Sequence, residues 1–244
     1  MKLNLGLLYI LIGLSIVACA KENQNSQGNQ SKQNIEASNT PPVAETPGSK
    51  QTPPVMQEQS SLNSKYYCEE FSIKPPKHRN WRSSALAELN PSKFPKLFET
   101  NIENGAASDL LKYCPNYPNL EDEQKKIILI RIVDAMVFFE STCNINARAK
   151  GPNGTAYGIF QLHYGREDDY ARDCRRYDSK SPIRSIACAL DMLHDQIENT
   201  QKVFFSGSYW DVLRPRGQAK KAGRIANHIW YYPLCQIPKL MKFR

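Results

Sequence analysis

The chain has 244 residues, 32 Lys and Arg against 24 Asp and Glu, a formal net charge of +8, and 41% hydrophobic residues. This length allows one compact domain with a real core plus extensions, and the absence of any internal repeat excludes a solenoid. No cysteine pair has CxxC spacing and the four histidines, His78, His163, His194 and His228, are scattered, so the pattern argues against a zinc site and predicts neither metal nor cofactor.

Taken in chain order, residues 1–18 hold one Lys and an apolar run from Leu3 to Val17, ending in Ile16-Val17-Ala18 directly before Cys19. This is a secretory signal, too short and too weakly flanked for a good membrane span. The box before Cys19 resembles that of bacterial lipoproteins, which implies lipidation of Cys19 and anchorage to a membrane. Because Ala20 rather than Asp follows the cysteine, the resemblance implies the outer membrane, with the protein facing the periplasm. Residues 19–63 are rich in Gln, Asn, Ser, Pro and Lys and nearly free of aromatics, so they cannot bury enough apolar surface to offset their ordering entropy. They form a tether whose root-mean-square reach is on the order of 35 Å.

Residues 64–244 form the predicted domain. The four Lys and four Glu before it cancel, so it carries the whole +8. A basic surface suits an anionic polymer or membrane face, and export argues against nucleic acid. Asn119 followed by LEDEQKKIILIRIVDAMVFFES predicts a long helix from Leu120 to Ser141, with Asn119 as cap and acids in the first turn. Its apolar residues run almost all the way round, which makes it the central buried helix. Gly151-Pro152-Asn153-Gly154 is a hairpin turn signal. Pro182 to Thr200 places Ile186, Ala189, Leu190, Leu193 and Ile197 on one helical stripe, and Ala219 to Ile229 predicts a shorter helix. The expected fold class is therefore mainly α, with a small β-hairpin lobe.

Leu129, Val133, Met136 and Glu140 lie on nearly one line of the central helix. A carboxyl on such a stripe is desolvated, its pKa rises, and the protonated form becomes available as a general acid near neutral pH. The other reading is a helix-terminal Glu turned to solvent or paired with Arg148 or Lys150. Position alone leaves both open.

The sequence after Glu140 bears on that choice. Glu140-Ser141-x-x-Asn-x-Asn-Ala147, followed by Gly151-Pro-Asn-Gly-Thr-Ala-Tyr157-Gly158-Ile-Phe-Gln161-Leu162, resembles the soluble-type lytic transglycosylases and the related goose-type lysozymes. The resemblance covers about 25 residues. It implies a lysozyme-like fold, peptidoglycan glycan strands as partner, and cleavage of the β-1,4 bond after N-acetylmuramic acid with Glu140 as the one acid and base. It also implies Ser141, Tyr157, Gly158 and Gln161 as substrate-binding residues. Ile145 stands where the family often has Pro. The late Ala-x-x-Tyr-Asn segment is absent as such, with Asn227 and Tyr231 in IANHIWYY the nearest substitutes. No Asp or Glu lies between Ser141 and Leu162, whereas a two-carboxylate glycosidase needs a partner about 5 Å away, or farther in an inverting enzyme. Transglycosylases need none, because the sugar's N-acetyl group and C6 hydroxyl complete the reaction and leave a 1,6-anhydro end. Glu167, Asp168 and Asp169 could supply a hydrolytic second carboxylate, or form a solvated acidic turn. A hydrolytic lysozyme and a silent wall-binding lipoprotein are thus the alternatives to a transglycosylase.

Among the aromatics available to stack on sugar, Tyr209 and Trp210 after Gly207 form the chosen pair. Arg214 and Arg216 around Pro215 either meet peptide-stem carboxylates or are simply exposed. Six cysteines remain besides Cys19, an even number in an exported chain. Cys174 and Cys188 enclose a short loop and are predicted to pair. The partners of Cys68, Cys114, Cys143 and Cys235 are left open, with Cys143 close behind Glu140. A monomer is expected.

Overall fold

The computed structural model describes residues 66–76, 80–101, 103, 105–151 and 154–236. Cys19, the signal and the tether lie outside the described residues. Helices α1 (Trp81–Glu88), α2 (Pro95–Phe98) and α3 (Gly105–Leu110) precede the long α4 (Asp122–Ser141); β1 (Arg148–Gly151), β2 (Gly154–Tyr157) and β3 (Leu162–His163) follow, then α5 (Pro182–Thr200) and α6 (Ala222–Trp230). The protein is mainly α with one small antiparallel sheet in the order β1-β2-β3.

Helix α4 is the centre of the core, with Ile128, Leu129, Ile130, Ile132, Val133, Ala135, Met136 and Val137 all buried. α1, α2 and α6 pack around it. It starts two residues later than expected, and its cap is Glu121 rather than Asn119. The Glu121 N–H donates to Gln124 Oε1 at 3.0 Å, while Asn119 ends a short 3-10 turn. This reciprocal arrangement satisfies amide groups that the start of a helix would otherwise orphan.

Helix α5 has the expected bounds: Ser181 caps it, Pro182 opens it, and the predicted stripe from Ile186 to Ile197 is buried against α1 and α2. The predicted helix at Ala219 instead begins at Ala222. The Ala219 N–H is taken by Asp211 Oδ2 at 2.5 Å and Lys220 adopts φ 53°, which breaks the helical path before Ala222.

Disulfides join Cys174 to Cys188, Cys68 to Cys143, and Cys114 to Cys235. The first is the predicted short loop, worth about 3 kcal/mol in the chain-entropy account; the wider closures are worth roughly 4–5 kcal/mol each in the same account. Among the described residues no helix is long and apolar enough to cross a membrane.

Candidate active site

Glu140 occupies the last turn of α4, half-buried at the floor of an open cleft of about 550 Å³. The helix stops immediately behind it because Thr142 and Cys143 take left-handed conformations, with the Thr142 N–H donating to Phe138 O at 2.9 Å. The Cys68–Cys143 bridge fixes that stop. Cys68 is itself held by α4, its N–H donating to the buried Asp134 at 2.7 Å. Thus the backbone around Glu140 is tied from both sides.

Burial pushes the Glu140 carboxyl up to about 7, with the nearby Asp211 adding to the rise and Arg214 opposing it. A carboxyl near that value is populated in both protonation states at neutral pH, which suits a group that must donate and then accept a proton.

The sheet forms one wall. Ala149 and Ala156, paired across β1 and β2, face the cleft. Alternation along a strand sends their neighbours to the opposite face, and this corrects the expectation for Tyr157. Its ring lies with Arg148 (5.3 Å) and Tyr164 (5.6 Å) away from the cleft, and its hydroxyl donates to Asn146 Oδ1 at 3.2 Å. Gly158 serves the backbone: at φ 76° it passes Ser179 so closely that a Cβ would stand 2.1 Å from the Ser179 carbonyl oxygen. Gln161 does line the cleft, at φ 50°, with its Nε2 donating to Ala147 O (3.1 Å) and Gly158 O (2.8 Å). Ser141 is buried, its hydroxyl donating to Val137 O at 3.0 Å, so it belongs to the helix rather than to a ligand.

Aromatic groups form the facing wall. Tyr209 accepts from the His163 N–H (2.9 Å) and donates to Gln161 O (3.2 Å); burial pushes its phenol well above the usual range, so it stays neutral. Tyr170 bonds His163 Nδ1 and packs edge-on against Tyr209 at 4.9 Å. Trp210, expected to stack on sugar beside Tyr209, is 2% exposed, and its indole N–H donates to Phe160 O at 3.0 Å. It is a core anchor that also lines the cleft. Asn227 and Tyr231 do not line the cleft; both are exposed, Tyr231 at 76%.

The acidic segment also differs from expectation. Glu167 is fully buried and accepts from the Tyr177 N–H (2.8 Å), the Ser179 N–H (3.3 Å) and the Ser179 hydroxyl, while Asp168 and Asp169 are exposed and away from the cleft. The second carboxylate at the cleft is instead Asp211. It is engaged, accepting from Ala219 N–H and facing Arg214 Nη1 at 3.6 Å. Sequence reading missed His163, Tyr170 and Asp211. The only available signal was that His163 and Tyr170 fall just after the Gln161 motif, and that Asp211 adjoins Tyr209-Trp210. Away from the cleft, His194, Asp195 and Glu198 on α5 bring ligand atoms within 4.8 Å of one another.

The fold resembles that of DslA from Bdellovibrio. A form of DslA (Bd0314) with one Glu-to-Gln change matches at TM-score 0.55 and 18% identity, over 67% of this chain and 95% of that one. A second Glu-to-Gln form and the wild type each match at TM-score 0.51, with 20% and 19% identity, over 64% of this chain and 91% of theirs. At these identities the likeness is one of fold. No family profile and no curated protein matches the chain.

Proposed function

We propose that this protein is a lysozyme-like lytic transglycosylase that cleaves peptidoglycan glycan strands. The observation that carries the reading is one carboxyl held near pKa 7 in an open cleft, at the position the Glu-Ser and Gly-Ile-Phe-Gln motifs assign to the acid. The two Glu-to-Gln forms of DslA carry the change at different positions, which supports a role for glutamates in that protein without singling out one. Protonated Glu140 gives its proton to the glycosidic oxygen as the C1–O bond breaks, and the sugar's N-acetyl group supports the cationic centre. The resulting carboxylate takes the proton from the C6 hydroxyl as that oxygen closes onto C1. Glu140 returns to its starting state, and no cofactor enters. Tyr209 and the amide of Gln161 flank the sugar path.

The experiment is mass spectrometry of peptidoglycan digested by the protein: 1,6-anhydro ends support the reading, while reducing ends indicate hydrolysis. The presence of Asp211 beside Glu140 favours hydrolysis as the second reading, since a free carboxylate there would activate water or attack C1. Its bonds to Ala219 and Arg214 oppose that role. Asp211→Asn is accordingly expected to leave the product type unchanged and to cost far less turnover than the loss of Glu140. Reducing ends from the wild type together with a dead Asp211→Asn variant would establish the hydrolase.

The same reading includes a lipid anchor on Cys19, outer-membrane attachment facing the periplasm, and a monomer. Cys19→Ser is expected to move the protein from the membrane to the soluble fraction while leaving its cleavage of isolated walls intact. Retention of the variant in the membrane fraction would rule out this anchor.

A further inference from the structure

A second cavity, of about 690 Å³, opens beside the cleft and shares Asp211 and Arg214 with it. Its wall is Ser206 and the loop from Asp211 to Ala219, which leads in sequence to α6. Across residues 211–224 the cations are Arg214, Arg216, Lys220, Lys221 and Arg224, and the only acid is Asp211. These cations differ in how they are held. Arg214 is committed, with Nε donating to Ser208 O at 2.7 Å, Nη2 to Tyr209 O at 3.4 Å, and Nη1 facing Asp211. Lys221 and Arg224 rest over the rings of Phe139 and Tyr66, at 5.2 and 5.8 Å. Arg216 lines the groove, is exposed, and among the described residues has neither a hydrogen bond nor an ion pair. The loop that presents it is firmly built: Gly217 N–H donates to Arg214 O at 3.0 Å, Ala219 N–H to Asp211, and Lys220 N–H to Gly217 O at 3.1 Å. Gly217 lies so close to Asp211 that a Cβ there would meet the Asp211 carbonyl oxygen at 2.5 Å.

A preformed loop carrying an uncommitted guanidinium is suited to a carboxylate, which it can grip with two parallel N–H bonds. The N-acetylated sugars of a glycan strand are neutral; the negative groups of the polymer are the carboxylates of the peptide stems on its muramic acid residues. We infer that the groove is a second binding site, for a peptide-stem carboxylate of the strand held at Glu140, and that Arg216 is the residue that receives it. This rests on the peptidoglycan reading above for the identity of the ligand.

Two measurements on the full chain test it. In the first, wild type and Arg216→Glu are compared on peptide-bearing glycan and on the same glycan whose stem carboxylates have been converted to neutral amides by a carbodiimide and ethanolamine. The variant should lose about tenfold or more in kcat/KM on the untreated strands, the effect of a lost charge-assisted contact, and show no comparable loss on the amidated strands. Equal loss on both, or loss on neither, overturns the inference. The second needs no turnover: a free acidic stem tetrapeptide is titrated while the amide resonances of Gly217 and Gln218 are followed. Wild type should show saturable shifts that weaken with salt, and Arg216→Glu should show none. No shift in the wild type overturns the stem site even if strands are cleaved. Saturable shifts without cleavage of either glycan would instead leave the groove standing and defeat the transglycosylase reading. Shifts with anionic phospholipid vesicles but not with the peptide would also overturn the stem assignment.

Discussion

Glu140→Gln is expected to lower turnover on isolated cell walls by about 10²- to 10⁴-fold, the range for losing a general acid–base group, while glycan binding persists. Gln keeps the shape and hydrogen-bonding reach of the side chain at the cleft floor but has no proton to give the leaving oxygen. The pH profile follows from the raised carboxyl. In wild type the acid form dominates below about 7, so kcat/KM should be level there and fall about tenfold per pH unit above it. A stability change accompanies the loss of activity. The folded protein holds the Glu140 proton up to about 7, whereas the unfolded carboxyl releases it near its ordinary value of 4.5. The proton-linked part of wild-type stability is therefore full below the lower value and is lost as pH rises through the window between the two. Gln escapes this, so the variant should be more stable than wild type at neutral pH, by on the order of 1–3 kcal/mol. Chemical denaturation of both proteins at pH 5 and pH 8 measures it. An inactive Glu140→Gln with no stability gain at pH 8 would mean that Glu140 is not desolvated, and an active one would remove it from the chemistry.

That same carboxyl shows which parts of the site sequence can reveal. A line of residues down one helix is a local property, so Leu129, Val133, Met136 and Glu140 could be aligned without knowing the rest of the fold, but whether Glu140 is desolvated depends on the cleft walls packed over it and only the structure decides it. Helix α5 was legible for the same reason, because its cap, its opening proline and its apolar stripe all lie within one segment. The Cys174–Cys188 pair needed only a short loop. Strand faces were another matter. Ala156 and Tyr157 differ only in which side of β2 they occupy, and that is decided by the partner strand and by where α4 lies. The tyrosine was the natural choice for a sugar site and the alanine is the residue in the cleft. Trp210 is divided between two places: it lines the cleft, but a large aromatic after a loop can serve either core or ligand, and the carbonyl of Phe160 that claims its indole is remote in sequence. Glu167 sits in a run of charges that reads as solvent-facing, yet the amides of Tyr177 and Ser179 converge on it and make it a buried anchor. Asp211 and Arg214 reach the cleft only through tertiary folding, so nothing near Glu140 in the chain announced them.

The close approach at Gly158 gives the second large effect, on stability. Gly158 joins β2 to the turn that delivers Gln161, and it does so at φ 76° against the backbone of Ser179. An alanine there meets two costs. The left-handed conformation costs a residue with a Cβ roughly 1 kcal/mol, and the clash at 2.1 Å cannot be relieved by a rotamer because the obstacle is a main-chain oxygen. Ser179 has little freedom to retreat, since it is 1% exposed and bonded to the buried Glu167. Displacing packed structure of this kind typically costs 1–3 kcal/mol, so the total for Gly158→Ala should be roughly 2–4 kcal/mol. For a domain of this size that is a fall in Tm on the order of 5–15 °C. Cleavage should also weaken beyond the stability loss, because the carbonyl of Gly158 holds the Gln161 amide in the cleft. Gly223→Ala is the matched control. Gly223 lies in α6 with nothing within 4 Å of the added methyl, and alanine there should gain up to about 1 kcal/mol from helix propensity. Calorimetry of the two variants separates the cases: if Gly158→Ala melts with the wild type, β2 does not press against the 178–180 turn, and the placement of Gln161 beside Glu140 loses its support.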